Sequence, residues 1–240
     1  MESSSQNTVA LSLQKRTLVI MAKAPKPGMV KTRLGPILPS AGVTALYRCL
    51  LEDTVALAKS LSGVELAVVC PESDADELAD LLGDSVQIVA QTGDGLAAAL
   101  TSVFRHFTAT SQHVIAFNSD SPHLAPSVLD TAFEILATQD VVVGPTHDGG
   151  YYLVGAKAAH PSLFEDDGMG RRGALDRLLT RMKVLELSTG FTERFYDIDV
   201  ADDLILLARE LRHAPAKAPR TAGWFGEWRQ VVAQLGMRGL

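Results

Sequence analysis

Short apolar runs rich in β-branched residues alternate with longer segments of helical period along most of this chain. The runs have the length and composition of buried strands, and the longer segments carry apolar residues at the spacing of an amphipathic helix. Strands are predicted at 18–22, 64–70, 86–90, 113–118, 141–145, 151–155 and 184–187, and helices at 41–60, 74–82, 96–107, 126–137 and 171–182. Strand and helix in turn imply crossover connections, and so predict an α/β fold: a three-layer α/β/α sandwich around a largely parallel sheet.

The C-terminal part begins with a last strand-like piece, FYDID, which leads into a predicted helix, VADDLILLAREL. A segment rich in Pro and Ala follows, and after it a short amphipathic stretch, WFGEWRQVVAQL. We therefore expect residues 1–212 to form one domain and residues 213–240 to be a linker and an amphipathic tail. The tail is expected to dock either on the domain or on a partner.

Charge is distributed unevenly along the chain, although its net value is only −6. Residues 1–51 hold seven Lys and Arg against the single acid Glu2, and the remainder holds 15 Lys and Arg against 27 Asp and Glu. An acidic protein with one short cationic region is suited to bind a small polyanion rather than to coat a nucleic acid. No nucleic-acid partner is expected.

The N-terminus and the cysteines bear on location. The apolar runs are far shorter than the roughly 20 residues of a membrane span, and Lys15 and Arg16 follow the mild apolar stretch of the N-terminus instead of preceding it as in a signal peptide. Cys49 and Cys70 have no zinc-site spacing and are expected to be reduced thiols. A cytoplasmic protein without a membrane span is expected.

A basic loop, AKAPKPGMVKTRLGP, follows the first predicted strand and carries no acid. Its two prolines stiffen it, and Gly28 permits a turn. Because it follows a strand, it should lie at the carboxyl edge of the sheet, where open α/β folds bind ligands. We interpret it as a phosphate-binding loop, with a solvated basic loop as the alternative. Four cations fall within eleven residues: Lys23, Lys26, Lys31 and Arg33.

Two acidic segments are candidates for a metal site. Asn118-Ser119-Asp120 ends an apolar strand, so Asp120 should emerge at the same edge as the basic loop, although it could merely cap the turn before Pro122. Asp197 and Asp199 are two apart, which places both on one face of an extended segment. Asp199 also resembles a helix N-cap with Asp202 as its reciprocal partner. Since Mg²⁺ needs only one or two protein carboxylates, Asp120 with either later acid would suffice.

The segment Asp148-Gly149-Gly150 lies between two apolar runs, directly before Tyr151. Asp-Gly favours a hairpin turn, whereas glycines also let a sugar or base approach the backbone closely. His147 is a candidate acid or base, with a structural role as the alternative.

Four motifs in order resemble a bacterial family of glycosyltransferase-A-like transferases related to the molybdopterin and phospholactate guanylyltransferases: AKAPKPGMVKTRL, NSDSPHL, GPTHDGGYYLVGAK and DIDVADDL. The similarity covers roughly residues 18–212. It implies the nucleotide-diphosphosugar transferase fold with a mixed sheet, a divalent metal (Mg²⁺, or Mn²⁺ in its place), and a nucleoside triphosphate or nucleotide sugar together with a small acceptor.

The resemblance also implies roles for residues that match the motifs. Catalytic roles are expected for Lys31, Arg33 and Asp148, and metal binding for Asp120, Asp197 and Asp199. Substrate binding is expected for Lys23, Lys26, Gly28, Asn118, Ser119, Gly149, Gly150 and Tyr151.

The chain departs from the family pattern at two places. Segment 91–100 lacks the arginine that the family tends to show after the third strand, and segment 165–173 stands where the family tends to place a Trp-Ser-Thr element. The leading hypothesis is a Mg²⁺-dependent transferase that uses a nucleotide-activated donor for glycosyl or nucleotidyl transfer. The alternatives are a phospholactate- or phosphoenolpyruvate-type guanylyltransferase and a non-catalytic nucleotide-binding accessory protein.

Overall fold

A single seven-stranded sheet forms the centre of the molecule. The structure is a computed structural model, and it describes residues 15–165 and 173–229. The strands are β1 (Arg16–Met21), β2 (Val64–Cys70), β3 (Gln87–Ala90), β4 (His113–Asn118), β5 (Val141–Pro145), β6 (Tyr151–Ala156) and β7 (Thr189–Phe191). Their order across the sheet is β3-β2-β1-β4-β6-β5-β7.

All neighbouring strands pair in parallel except around β6, which runs antiparallel to both β4 and β5. The central strand β1 pairs with two strands distant in sequence, so that Leu18 lies beside Leu66 on one side and Ile115 on the other. The sheet is therefore mixed and mostly parallel, and the predicted α/β class is confirmed.

Helices cover both faces of the sheet because successive strand residues point to opposite sides. Leu18 and Ile20 of β1 face one helical layer, and Val19 faces the other. The first layer comprises α1 (Ser40–Lys59), α2 (Ala75–Leu82) and α4 (Pro126–Thr138), and the second comprises α3 (Gly95–Phe107) and α5 (Ala174–Val184). This is the predicted three-layer sandwich. Among the described residues, every helix is too short or too polar to cross a bilayer.

The strand predicted at 184–187 is wrong. Helix α5 runs to Val184, which is 72% exposed, and the chain turns at Glu186 with a φ of 54° before β7 begins at Thr189. The position of this edge strand is set by tertiary packing: a Cβ on Gly190 would lie 2.3 Å from Cγ2 of Ile135 in α4, so only a glycine fits there. Helix α5 was predicted from residue 171, and residues 171 and 172 lie outside the described part of the chain.

The segment around FYDID is not a regular strand, since only an isolated bridge joins Phe195 to Thr146. The helix α6 (Ala201–His213) that follows is capped differently from the prediction: the carboxylate of Asp203 accepts hydrogen bonds from the backbone N–H groups of Asp199 (3.0 Å) and Val200 (2.8 Å). Asp203 therefore performs the capping expected of the Asp199–Asp202 pair. The Asp199 carboxylate is left available for other contacts.

A third hydrophobic cluster joins α1 and α6 to α7 (Pro219–Glu227). Trp224 of α7 packs with Leu46 and Leu50 of α1, and its indole N–H donates to the Gly42 carbonyl over 3.2 Å. The described part of the C-terminal tail thus docks on the domain, and the helix begins earlier than the amphipathic stretch indicated.

A buried carboxylate from α1 caps the start of α7. Asp53 Oδ2 accepts from the Thr221 backbone N–H and from its hydroxyl, both at 2.8 Å, and Oδ1 accepts from the Arg220 backbone N–H at 3.3 Å. These N–H groups have no partner within their own helix, so Asp53 supplies the cap from another element.

We expect Asp53→Ala to lower the free energy of unfolding by about 2–4 kcal/mol, because it leaves buried donors unsatisfied. Urea unfolding monitored by circular dichroism measures the change. The control is Arg48→Ala, whose exposed side chain on α1 pairs with Glu52 at 3.4 Å and whose loss should cost less than about 1 kcal/mol. Equal stability of Asp53→Ala and the wild type would contradict this account of the tail.

Candidate functional site

A large cleft opens at the carboxyl edge of the sheet. It has a volume of about 1020 Å³, and its lining includes residues at or just beyond the carboxyl ends of four parallel strands: Met21, Pro71, Gln91 and Asn118. Ligands of open α/β folds bind at this edge. Its volume lies at the upper end of the usual range for ligand pockets, which is roughly 300–1,000 Å³.

Hydrophobic anchoring positions the charged residues of the cleft. Leu34, directly after the basic segment, and Ile198, between the two late acids, are both fully buried in the third hydrophobic cluster. With Ile198 facing this cluster, Asp197 and Asp199 both line the cleft on the opposite side. The sequence spacing predicted this shared face.

Lys31 is the central cation of the cleft. Its ammonium forms an ion pair with Asp120 and lies 4.0 Å from Asp199 Oδ1, and only 8% of its side chain is exposed. Burial lowers the pKa of Lys31, but the attraction of Asp120, Asp197 and Asp199 outweighs burial and leaves the pKa raised. The backbone of Lys31 has φ 45° and ψ 41°, a left-handed conformation that residues other than glycine rarely adopt.

Arg33 lies two residues further along the same loop and pairs with Asp199 Oδ2. Its side chain is 67% exposed, whereas that of Asp199 is 35% exposed. The guanidinium therefore sits at the rim of the cleft, where an entering anion would meet it first.

The three predicted metal-binding carboxylates line the same cleft. Asp120 Oδ1 is buried and has no hydrogen-bond partner among the described residues. Burial, and then the charge of Asp120, raise the pKa of Asp197 to about 7. Within residues 15–165 and 173–229, no three His, Cys, Asp or Glu side chains form a ready metal cage. An ammonium lies between the acids instead.

Lys23 and Ser119 are joined by a residue that the sequence reasoning missed. The hydroxyl of Tyr47, on α1, lies 3.0 Å from both the Lys23 backbone N–H and Ser119 Oγ. Burial raises the pKa of this phenol. A tyrosine on a helix face carries no sequence signal for such a role. The side chain of Lys23 is exposed and lines the cleft.

Lys26 and Gly28 are not brought to the cleft. The Lys26 ammonium lies 2.6 Å from Asp74 Oδ1 and donates to the Ser73 carbonyl over 2.9 Å. Asp74 also accepts from the Ala24 backbone N–H over 3.0 Å, so this ion pair fixes the start of the loop. Gly28 supplies a turn with φ 74°. The spacing of cations in sequence did not show that one of them would be bound by a carboxylate beyond β2.

The Asp148 loop is the hairpin connection between β5 and β6, as one of its two interpretations predicted, and its Asp148 and Gly150 also line the cleft. Asp148 Oδ1 accepts from the Thr146 hydroxyl and from the Gly150 backbone N–H at 3.1 Å, and these bonds lower the pKa of Asp148. The Gly149 carbonyl accepts from the Leu175 backbone N–H, which joins the loop to α5.

Of the remaining predicted site residues, some line the cleft and others do not. Tyr151 lines the cleft, and burial raises the pKa of its hydroxyl, while the exposed His147 and the Gly149 backbone are not part of the lining. Asn118 lines the cleft, and its amide donates to Ser121 Oγ over 2.9 Å. Segment 166–172, where the family pattern departs, lies outside the described residues.

His123 packs against Phe195 and Tyr196, the two residues that precede Asp197 in the chain. Its ring contacts those of Phe195 and Tyr196, at centroid distances of 4.7 and 4.4 Å, and it is 1% exposed. Neither ring nitrogen has a hydrogen-bond partner among the described residues. Burial lowers the pKa of His123 to about 4. It is a neutral structural histidine next to the segment that carries Asp197.

Solved structures with the same architecture define the fold class. A protein of Desulfovibrio desulfuricans G20, assigned as a nucleotide-diphospho-sugar transferase, matches with a TM-score of 0.84 and 24% identity over 92% of this chain and 98% of that chain. A CMP:2-keto-3-deoxy-manno-octonic acid synthetase complexed with CTP matches at 0.55 and 14% identity, over 82% and 100%. Rv0371C of Mycobacterium tuberculosis H37Rv, complexed with manganese, matches at 0.50 and 18%, over 81% and 97%. The predicted nucleotide-diphosphosugar transferase fold is confirmed.

The family match concerns the middle of the chain. Residues 54–171 match the model of a family described as "Uncharacterized protein conserved in bacteria (DUF2064)". The predicted resemblance to a bacterial family of this fold is confirmed. The segment includes Asp120 and Asp148, whereas Lys31 and the late acids lie outside it. No curated protein matches the chain in sequence.

The burial of His123 predicts a pH-dependent stability. The unfolded state takes up a proton near pH 6.5, while the folded state resists it until about pH 4. The contribution of His123 is therefore complete above pH 6.5 and is lost as the pH falls through about 4, a loss of about 3 kcal/mol.

His123→Phe keeps a ring in contact with Phe195 and Tyr196 but cannot take up a proton. Urea titrations at pH 7 and pH 4 measure the free energy of unfolding of both proteins. On going from pH 7 to pH 4, we expect the stability of His123→Phe relative to the wild type to rise by about 3 kcal/mol. An unchanged difference between the two proteins would show that His123 titrates normally.

Proposed function

We propose that this protein is a divalent-metal-dependent transferase that uses a nucleotide-activated donor, either a nucleoside triphosphate or a nucleotide sugar, and transfers to a small acceptor. One observation carries the proposal: three cations of the basic loop and three carboxylates from two later segments line one cleft at the carboxyl edge of the sheet. The likeness to solved nucleotide-diphosphosugar transferase folds supports it.

The cations suit the phosphates of such a donor. Lys31, Arg33 and Lys23 lie on one loop and line the cleft, so one polyphosphate can contact all three. In both nucleotidyl and glycosyl transfer, negative charge builds up on a phosphate leaving group. Fixed cations that stabilise this charge lower the barrier.

The carboxylates suit a divalent cation. Among the described residues, Asp120 Oδ1 is buried without a partner, which is costly unless a ligand completes it. Mg²⁺ prefers one or two protein carboxylates and takes its other oxygens from phosphates and water. Asp120, with Asp197 or Asp199, would hold Mg²⁺ or Mn²⁺, and the bound metal would neutralise phosphate charge. The manganese complex of a structural neighbour agrees with this choice.

The two ends of the cleft would take the two substrates. At the β3 end, Gln91 and Asp94 offer hydrogen bonds and Leu96 an exposed apolar side chain, a mixture suited to a nucleoside. At the other end, Asp148 offers an ionised carboxylate to the acceptor.

Asp148 would orient the acceptor. Its pKa is lowered, chiefly by the Thr146 hydroxyl, so it is charged at neutral pH and accepts a hydrogen bond from an acceptor hydroxyl through Oδ2. The acceptor oxygen then bonds to the α-phosphorus or the anomeric carbon. The bond to the leaving phosphate breaks with its electron pair, and the hydroxyl proton passes through Asp148 to solvent.

A thermal-shift screen of nucleotides and nucleotide sugars, with and without Mg²⁺, tests donor binding. A donor present at about 100 times its Kd stabilises the folded state by about 2.7 kcal/mol, which for a chain of this size corresponds to several degrees in Tm. We expect a metal-dependent shift in the wild type and its loss in Asp120→Ala.

The matched control is Asp84→Ala, since Asp84 is exposed and lies outside the cleft lining. It should shift like the wild type. An equal shift in Asp120→Ala, or shifts that ignore Mg²⁺ throughout, would remove the metal site from the proposal.

The released product identifies the reaction. With the donor found in the screen and a mixture of small hydroxyl acceptors, we expect turnover that falls at least 100-fold in Asp148→Ala, because the acceptor loses its orienting group. Pyrophosphate release would identify nucleotidyl transfer, and nucleoside diphosphate release would identify glycosyl transfer. Metal-dependent donor binding without turnover would favour the non-catalytic accessory protein instead.

A further inference from the structure

The Lys31 ammonium lies where the proposed metal would have to bind. It pairs with Asp120 Oδ2 and lies 4.0 Å from Asp199 Oδ1, and Asp197 also attracts it. Its side chain is only 8% exposed, and its backbone is left-handed. The loop thus adopts a costly conformation that delivers one positive charge to a group of three carboxylates.

That charge is required as long as no metal is bound. Three carboxylates in a partly buried cleft repel one another, and an unpaired buried charge is strongly destabilising. A divalent cation on Asp120 would use the same carboxylate that the ammonium now uses. Two cations this close together would repel each other, so each would weaken the binding of the other to the group.

The other cations of the loop do not share this arrangement. Arg33 is two-thirds exposed and forms its ion pair with Asp199, and Lys26 pairs with Asp74 outside the cleft. Lys23 forms no ion pair in the described part of the chain. Of these loop cations, Lys31 is the one that contacts Asp120, whose second oxygen is buried without a partner in the described part of the chain.

We propose that Lys31 is a built-in counter-cation that exchanges with the metal: the ammonium holds Asp120 and Asp199 until a divalent cation displaces it towards the phosphates of the incoming donor. This inference rests on the proposed function. Since the phosphates give the displaced ammonium a new partner, metal and donor bind cooperatively, and metal alone binds weakly.

Binding of Mn²⁺ alone tests the exchange, with free Mn²⁺ measured by electron paramagnetic resonance. Lys31→Met removes the competing charge at similar length, and we expect it to bind Mn²⁺ on the order of tenfold more tightly than the wild type, without nucleotide. Lys26→Met removes one charge from the same loop and should bind like the wild type.

Two further variants keep the test decisive. Lys31→Met could fail to fold without metal. In that case Asp197→Asn is compared with Lys31→Met/Asp197→Asn, whose carboxylate group has the same net charge as in the wild type. We again expect the variant without Lys31 to bind Mn²⁺ on the order of tenfold more tightly. Asp120→Ala, alone and combined with Lys31→Met, shows whether the Mn²⁺ that binds is held by Asp120.

The outcomes separate the two proposals. Tighter binding in Lys31→Met that is lost with Asp120→Ala supports the exchange. Mn²⁺ affinity in Lys31→Met equal to or below that of the wild type, with binding still dependent on Asp120, overturns the exchange and leaves the proposed function intact. Binding that ignores Asp120, or no Mn²⁺ binding in any variant, overturns the proposed metal site and the exchange together.

Discussion

The attraction between Lys31 and the carboxylates of Asp120 and Asp199 is the interaction on which the site depends. It joins a loop after the first strand to the end of β4, 89 residues later, and to the segment before α6. A buried ammonium is tolerated only where carboxylates compensate it, and a group of carboxylates only where a cation does. Each partner therefore fixes the place of the others, and the left-handed backbone of Lys31 is retained because this arrangement requires it.

Hydrophobic packing sets the conditions for that attraction. Leu34 and Ile198 are buried in one hydrophobic cluster with Trp224 of the C-terminal helix. The basic loop and the segment that carries Asp197 and Asp199 are therefore anchored in the same cluster. Asp53 caps that helix from α1, and His123 fills the space beneath the acidic segment. In the described part of the chain, neither α7 nor His123 lines the cleft, yet both pack against the elements that hold the charges in place.

The topology of the sheet explains why charged residues from distant parts of the sequence meet in one cleft. Parallel strands β1 to β4 all end at one edge, so their following loops converge without long connections. The antiparallel β6 brings the Asp148 hairpin to the same edge from the other side. A polyphosphate, a metal and an acceptor would thus be reached from three sides, which suits a transfer reaction that needs positioning and charge stabilisation but no covalent nucleophile.

The sequence by itself determined the layered α/β architecture, the positions of most strands and helices, and which segments carry the charges of the cleft. It could do so because the alternation of apolar and polar residues, the helical period and residue type are local properties. It also placed Asp197 and Asp199 on one face. Tertiary structure alone decided which cations reach the cleft: Lys26 is bound by a distant carboxylate, and Tyr47 enters from a helix face without a sequence signal. It also located β7, since an edge strand lies where its neighbours leave room, and moved the helix cap from Asp199 to Asp203, which frees Asp199 to meet Arg33. Such choices depend on distances between residues far apart in the chain, which no local pattern records.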